Sequence, residues 1–206
     1  MKEMFPGVFI KDKKLITLNG KKERIWDPYH SKAAAAIVKG IKNFPIKKDS
    51  KILYLGIADG TTASHLSDII GSDGVILGVD ISPRPFQKLL VLCETRENII
   101  PVLSDANKTE NFKEYLDEIG NVDVVYQDLA QKIQAEIAIK NCKLFLKKGG
   151  FLMYMVKALS IDVTQNPTKT FAEEIEKLKK AGFEILELVS LEPFEGGHAC
   201  IVARMN

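Results

Sequence analysis

The chain has 206 residues, 46% of them hydrophobic, and a formal net charge of +2. That length supports one domain with a substantial core. No apolar stretch approaches the roughly 18–20 residues that span a bilayer, and residues 1–14 lack an apolar signal core, so a soluble, intracellular protein is expected, working in the cytoplasm.

The cysteines Cys93, Cys142 and Cys200 are odd in number, far apart and set in apolar segments, which predicts buried free thiols. His30, His65 and His198 show no ligand spacing, so no metal site is expected. Charge is uneven: residues 1–48 hold 12 Lys and Arg against 4 Asp and Glu, leaving 17 against 23 for the remainder. A basic front suits either a solvated surface or contact with phosphates.

Residues 1–30 predict a short β-rich extension, with strands at Val8–Ile10 and Leu15–Leu18 and a hairpin signal at Asn19-Gly20. Residues 31–206 form the main domain. Its first helix starts at the N-cap Ser31, presents Ala33–Ala36, Ile37, Val38 and Ile41, and is expected to run toward Pro45. Strands and helices then alternate. Strand Lys51–Leu55 leads to a helix from Thr61 or Thr62 to Ile70, closed by Gly71. Strand Val75–Asp80 precedes helix Pro83–Arg96, and strand Ile99–Leu103 precedes a helix near Glu110–Ile119. Strand Val122–Tyr126 is followed by helix Gln134–Leu146, for which Lys147–Gly150 reads as a basic tail with a glycine stop. Strand Phe151–Val156, helix Pro167–Ala181 and strands Glu184–Leu191 and His198–Arg204 complete the chain.

Apolar strands alternating with helices predict an α/β fold with a mostly parallel sheet covered on both faces. The segment Glu192–Gly197 is too short for a parallel crossover, so the last two strands must pair antiparallel or not at all. A parallel sheet with such a hairpin resembles the methyltransferase variant of the Rossmann architecture.

Ligands of open α/β sheets sit beyond the carboxyl ends of the strands. Four segments there are suggestive. Gly56 to Gly60 joins strand to helix with backbone free to approach a ligand, and Thr61 and Thr62 offer hydroxyls at a helix start. This loop lacks a complete GxGxxG, which disfavours a dinucleotide and favours a cofactor without a pyrophosphate. Asp80 can accept from both hydroxyls of an adenosine ribose. Asp105 can accept from an adenine amine while Ala106 leaves room for the ring, and Asp128-Leu129-Ala130-Gln131 closes the fourth strand.

Tyr54-Leu55-Gly56 through Gly60-Thr61-Thr62, Ser64-His65, Ser82-Pro83-Arg84, Asn98–Pro101, Asp128–Gln131 and Ser160–Thr164 together resemble fibrillarin, in its archaeal form, from about Trp26 to the C-terminus. Glu192–Glu195 followed by His198 resembles the closing hairpin of that family. The resemblance implies a class I S-adenosylmethionine (AdoMet) methyltransferase that modifies ribose 2′-hydroxyls of pre-rRNA and tRNA. AdoMet would be held by Gly56, Gly60, Thr61, Thr62, Asp80, Ile81, Asp105, Ala106, Asp128, Leu129, Ala130 and Gln131. Lys32, Asp128, Lys157 and His198 match the catalytic set. The resemblance also implies a ribonucleoprotein containing a box C/D guide RNA, the target RNA, a Nop-domain scaffold protein and a kink-turn-binding ribosomal-type protein.

Three positions depart from the family pattern: Asp59 where a small residue is usual, His30 for arginine or asparagine, and Leu129 for valine. The N-terminal extension also reads as shorter than usual. Rival readings are a non-catalytic subunit of the same fold, an NAD-dependent oxidoreductase and a small-molecule methyltransferase. Intact Lys32, Asp128 and Lys157 argue against the first, and the incomplete glycine fingerprint against the second. The third normally needs extra segments to enclose its substrate.

Overall fold

The computed structural model describes residues 1–206. Four strands come first: β1 (Lys2–Phe5), β2 (Val8–Lys11), β3 (Lys14–Asn19) and β4 (Lys22–Ile25) form an antiparallel sheet in that order. Between β2 and β3 the turn residues Asp12 and Lys13 both have positive φ, 49° and 62°, as a tight turn matched to strand twist requires. β1 escapes the sequence patterns because it is an edge strand with little buried surface.

Helix α1 (Lys32–Val38) starts at Ser31, whose side chain accepts from the Ala34 amide. It stops well before Pro45. Gly40 adopts φ 87°, its amide reaches the Ile37 carbonyl at 3.0 Å, and the Ile41 amide reaches Ala36 at 3.0 Å. That pair of bonds is a glycine-terminated helix end.

The main sheet contains β5 (Lys51–Leu55), β6 (Val75–Asp80), β7 (Ile99–Leu103), β8 (Val122–Gln127), β9 (Leu146–Lys157), β10 (Phe183–Ser190) and β11 (His198–Met205), in the order β10-β11-β9-β8-β5-β6-β7. β5 to β9 are parallel, and β11 runs against both β9 and β10. Its helices are α2 (Thr61–Ile70), α3 (Pro83–Cys93), α4 (Lys113–Ile119), α5 (Gln134–Phe145), the short α6 (Ala158–Ile161) and α7 (Pro167–Lys180).

β5, β6 and β7 keep the bounds expected from their apolar runs. Lys147–Gly150 does not: these residues belong to β9, not to a helix tail, because Leu146 already pairs with Val122. Gly149, with φ 72°, accommodates the register shift that follows. No helix is long and apolar enough to cross a membrane.

Apolar clusters of 29 and 27 buried residues lie on the two faces of the sheet, so it is covered on both sides, as its continuous apolar strands require. Val8, Leu15 and Trp26 belong to the first cluster, which ties the N-terminal sheet to the main core. A buried polar contact reinforces the join: Asp68 of α2 accepts from Thr17 at 2.8 Å, Arg24 at 2.5 Å and Arg96 at 2.5 Å. Its side chain is 0% exposed. All three cysteines are free thiols; Cys142 and Cys200 are buried as expected, Cys93 is only half-buried, and burial pushes all three up.

Candidate active site

The chain runs from β5 outward through β6 to β7, then returns to β8 on the other side of β5. Strand order reverses there, opening a crevice between the ends of β5 and β8. The Asp128 amide donates to the Leu55 carbonyl at 2.9 Å. A Cβ on Gly56 would lie 2.5 Å from the Asp128 carbonyl oxygen, and Gly56 has φ 84°. Only glycine allows these strand ends to approach so closely.

Two cavities meet at Gly56, Ala58 and Asp128. One, of about 310 Å³, is lined by Asp80, Ile81, Ala106, Leu129, Ala130, Gln131 and Lys157, among others. The other, of about 470 Å³, includes Lys32, Asp59, Thr61 and Thr62. The structure thus gathers most of the residues singled out in the sequence at one crevice.

Asp80 holds the first cavity open: its two carboxylate oxygens each accept one backbone amide, from Ala58 at 2.8 Å and Ser82 at 2.8 Å. Each oxygen keeps further acceptor capacity. Asp105 and Gly60 stand off the cavity linings. The Oδ1 of Asp105 accepts from the Asn107 amide at 2.9 Å and shapes a turn. Gly60 caps α2 at φ 82°, and a Cβ there would meet Leu92 at 2.6 Å and Leu89 at 2.8 Å. Its glycine therefore allows close packing against α3.

Asp59 Oδ1 accepts from the Thr61 amide at 3.1 Å and the Thr61 hydroxyl at 2.8 Å, closing a local turn at the start of α2. The Thr62 hydroxyl donates to Ser31 at 2.9 Å, which locks the start of α1 to the start of α2.

Above the crevice, Asp128 joins two lysines. Lys157 Nζ lies 2.9 Å from its Oδ1 and 3.1 Å from its carbonyl oxygen. Lys32 Nζ lies 3.3 Å from Oδ2 and 3.6 Å from Glu195. Beneath them, Tyr54 and Tyr126 pack with ring centroids 4.4 Å apart. Burial, reinforced by the Asp128 charge, holds both phenols far above their ordinary range, so they form a neutral floor.

His198 starts β11 opposite Lys157, and its Nδ1 lies 2.7 Å from the Gly196 carbonyl oxygen. Glu195 escaped the sequence reading as a site residue, although the segment around it was recognised. It lies between Lys32 at 3.6 Å and His198 at 3.9 Å. Trp26, just after β4, and His65 of α2 line the larger cavity with rings stacked 5.2 Å apart; His65 belongs to the Ser64-His65 motif, but neither stands out in the sequence as a site residue.

A doubly wound sheet with one reversed strand, opening at its switch point onto a carboxylate-lined crevice, defines a Rossmann-like methyltransferase. The chain belongs to the fibrillarin family, whose model matches residues 1–206. A relative from Thermococcus gammatolerans, named fibrillarin-like rRNA/tRNA 2′-O-methyltransferase, is 48% identical over 203 residues, covering 98% of this chain and 88% of that one. The fibrillarin of a solved fibrillarin/Nop5p complex superposes with TM-score 0.90 at 40% identity, covering 100% of both chains. Aeropyrum pernix fibrillarin, solved with natively bound S-adenosyl-L-methionine, gives TM-score 0.86 at 40% identity, covering 98% of this chain and 96% of that one.

Proposed function

We propose that this protein transfers a methyl group from AdoMet to the 2′-hydroxyl of ribose in rRNA and tRNA, within a box C/D type guide ribonucleoprotein. The observation that carries this reading is Asp128, which stands where the two cavities meet and holds Lys32 and Lys157 side by side.

The crevice fits AdoMet: its two lobes meet at a glycine whose missing Cβ leaves backbone exposed, and Asp59, Asp80 and Asp128 supply negative charge for a cationic cofactor. Asp80 would take the ribose hydroxyls, while Ile81, Ala106, Leu129, Ala130 and Gln131 enclose the adenosine end. Asp105 steadies the turn beside it. Gly60 positions the start of α2, where Thr61 and Thr62 hold the methionine end. When bound, AdoMet supplies an electrophilic methyl group on a positively charged sulfur.

Ribose hydroxyls are weak nucleophiles, so positioning and proton removal lower the barrier. In its neutral amine form Lys157 would take the hydroxyl proton as the new oxygen–carbon bond forms and the methyl–sulfur bond breaks, the sulfur leaving as a neutral thioether. Asp128 aims Lys157, Lys32 contributes fixed positive charge, and His198 flanks Lys157 on the next strand.

The relative solved with Nop5p supports a Nop-domain scaffold as partner. Guide RNA and a kink-turn-binding protein would complete the particle, which we expect to work in the cytoplasm. The test is transfer of label from AdoMet to guide-paired RNA bearing 2′-OH or 2′-H at the target nucleotide. Label in the 2′-OH RNA alone, lost in Asp128→Ala, supports the reading; equal label in both redirects it to base methylation.

A further inference from the structure

β8 ends at Gln127, whose partner in β9 is Tyr154. β9 continues for three more residues to Lys157, leaving the Lys157 backbone without a strand beside it on the β8 side. A buried amide and carbonyl need partners.

Gln134, the first residue of α5, fills the gap with its side chain. Its Oε1 accepts from the Lys157 amide at 3.1 Å and its Nε2 donates to the Lys157 carbonyl at 3.2 Å. This pairing fixes which end of the carboxamide is which, since each Lys157 group accepts only one orientation. Gln134 is 0% exposed, and its own carbonyl accepts from Gln127 at 2.7 Å. The Tyr154 hydroxyl lies 3.4 Å from Oε1 and donates to Glu174 at 2.5 Å. Glu174 in turn accepts from the Ala135 amide at 3.0 Å, which secures the start of α5.

We infer that Gln134 is a positioning residue for methyl transfer: its carboxamide substitutes for the missing strand and fixes the Lys157 backbone, so that the side-chain nitrogen points at Asp128. The inference rests on the catalytic reading of Lys157 given above. An apolar side chain would fill the same volume but leave the Lys157 amide and carbonyl unpaired. Misplacing a reacting group by about 1 Å can lower a rate on the order of 100-fold, and a lysine on a loosened strand end is open to such misplacement.

The test is a double-mutant cycle on the protein assembled with its guide RNA and scaffold partners, reading single-turnover methyl transfer at saturating AdoMet. Gln134→Met should lower the rate at least about tenfold while AdoMet affinity stays within about twofold. Lys157→Met should lower it further, and the double variant should match Lys157→Met alone, because Gln134 acts only through Lys157. Losses that multiply, or a Gln134→Met rate equal to wild type, overturn the inference. If Lys157→Met alone leaves the rate unchanged, the catalytic reading of Lys157 is what has failed. Should Gln134→Met not fold, Gln134→Glu enters the same cycle. When ionised it keeps the acceptor for the Lys157 amide and loses the donor to the carbonyl, so the same pattern with a smaller loss is expected and the same outcomes overturn it.

Discussion

Lys157 and His198 face each other across β9 and β11 as a non-hydrogen-bonded pair. The Ala158 amide bonds the Gly197 carbonyl at 3.2 Å, which is the flanking bond of such a pair. Pairs of this kind bring side chains closer than hydrogen-bonded ones do, so the two side chains stand side by side on one face of the sheet. The reversed strand β11 therefore has a functional consequence: it returns a residue from near the C-terminus to the same sheet edge as Asp128. His198→Ala is expected to lower methyl transfer about tenfold, less than the roughly 100-fold or more typical of a group that itself transfers the proton, while AdoMet binding measured by calorimetry is unchanged.

Asp128→Asn preserves shape and removes the charge shared by two lysines. Lys32 and Lys157 are only 14% and 18% exposed, so they then repel one another with little solvent to screen them. Methyl transfer should fall by about 100-fold or more as the lysines part. Stability should drop by about 2 kcal/mol, below the value for a fully buried pair, as read by urea denaturation.

Two glycines of one loop should fail differently. In Gly56→Ala the new Cβ strikes backbone at Asp128, which cannot yield, whereas in Gly60→Ala it meets the ends of Leu89 and Leu92. Both changes strain a left-handed backbone and should cost about 1–3 kcal/mol. Titration with AdoMet should show binding lost in Gly56→Ala and largely kept in Gly60→Ala.

His65 makes folding sensitive to acid. Its Nδ1 lies 2.7 Å from the Thr17 hydroxyl, which donates to Asp68 at 2.8 Å, so the neutral ring carries its proton on Nδ1. Burial, with the Arg24 charge next, lowers its pKa from 6.5 to about 4. Below pH 6.5 the unfolded chain therefore takes up a proton that the folded one refuses, and stability falls as pH drops toward 4. The full loss is about 3 kcal/mol. Denaturation at neutral and acid pH should show this component in the wild type and its absence in His65→Gln.

Asp68 should act as the tether of the N-terminal sheet. Asp68→Asn leaves Arg24 and Arg96 without their shared carboxylate, a loss on the order of 3 kcal/mol. Amide exchange should accelerate in β3 and β4, where Thr17 and Arg24 reside, more than in β5 and β8. Uniform acceleration throughout the chain would contradict the tether.

The sequence alone determined the alternation of strands and helices, because β5, β6 and β7 are short apolar runs bounded by turn residues and helix starts. It also placed Asp80 and Asp128 at strand ends, where a parallel sheet exposes ligand-binding groups. The identities of Lys32, Lys157 and His198 came from motif likeness, since nothing local distinguishes them from surface residues. The tertiary structure decided what depends on neighbours distant in the chain. Lys147–Gly150 became strand because Val122 offers a ladder to Leu146, against a glycine-rich local signal. The close packing of Gly60 on α3 and the bonds from Thr61 to Asp59 depend on where α3 lies and how the loop turns. Gln134 looked like an ordinary helix residue until β8 was seen to stop short of Lys157, for only the relative lengths of two paired strands reveal a backbone amide that lacks a partner.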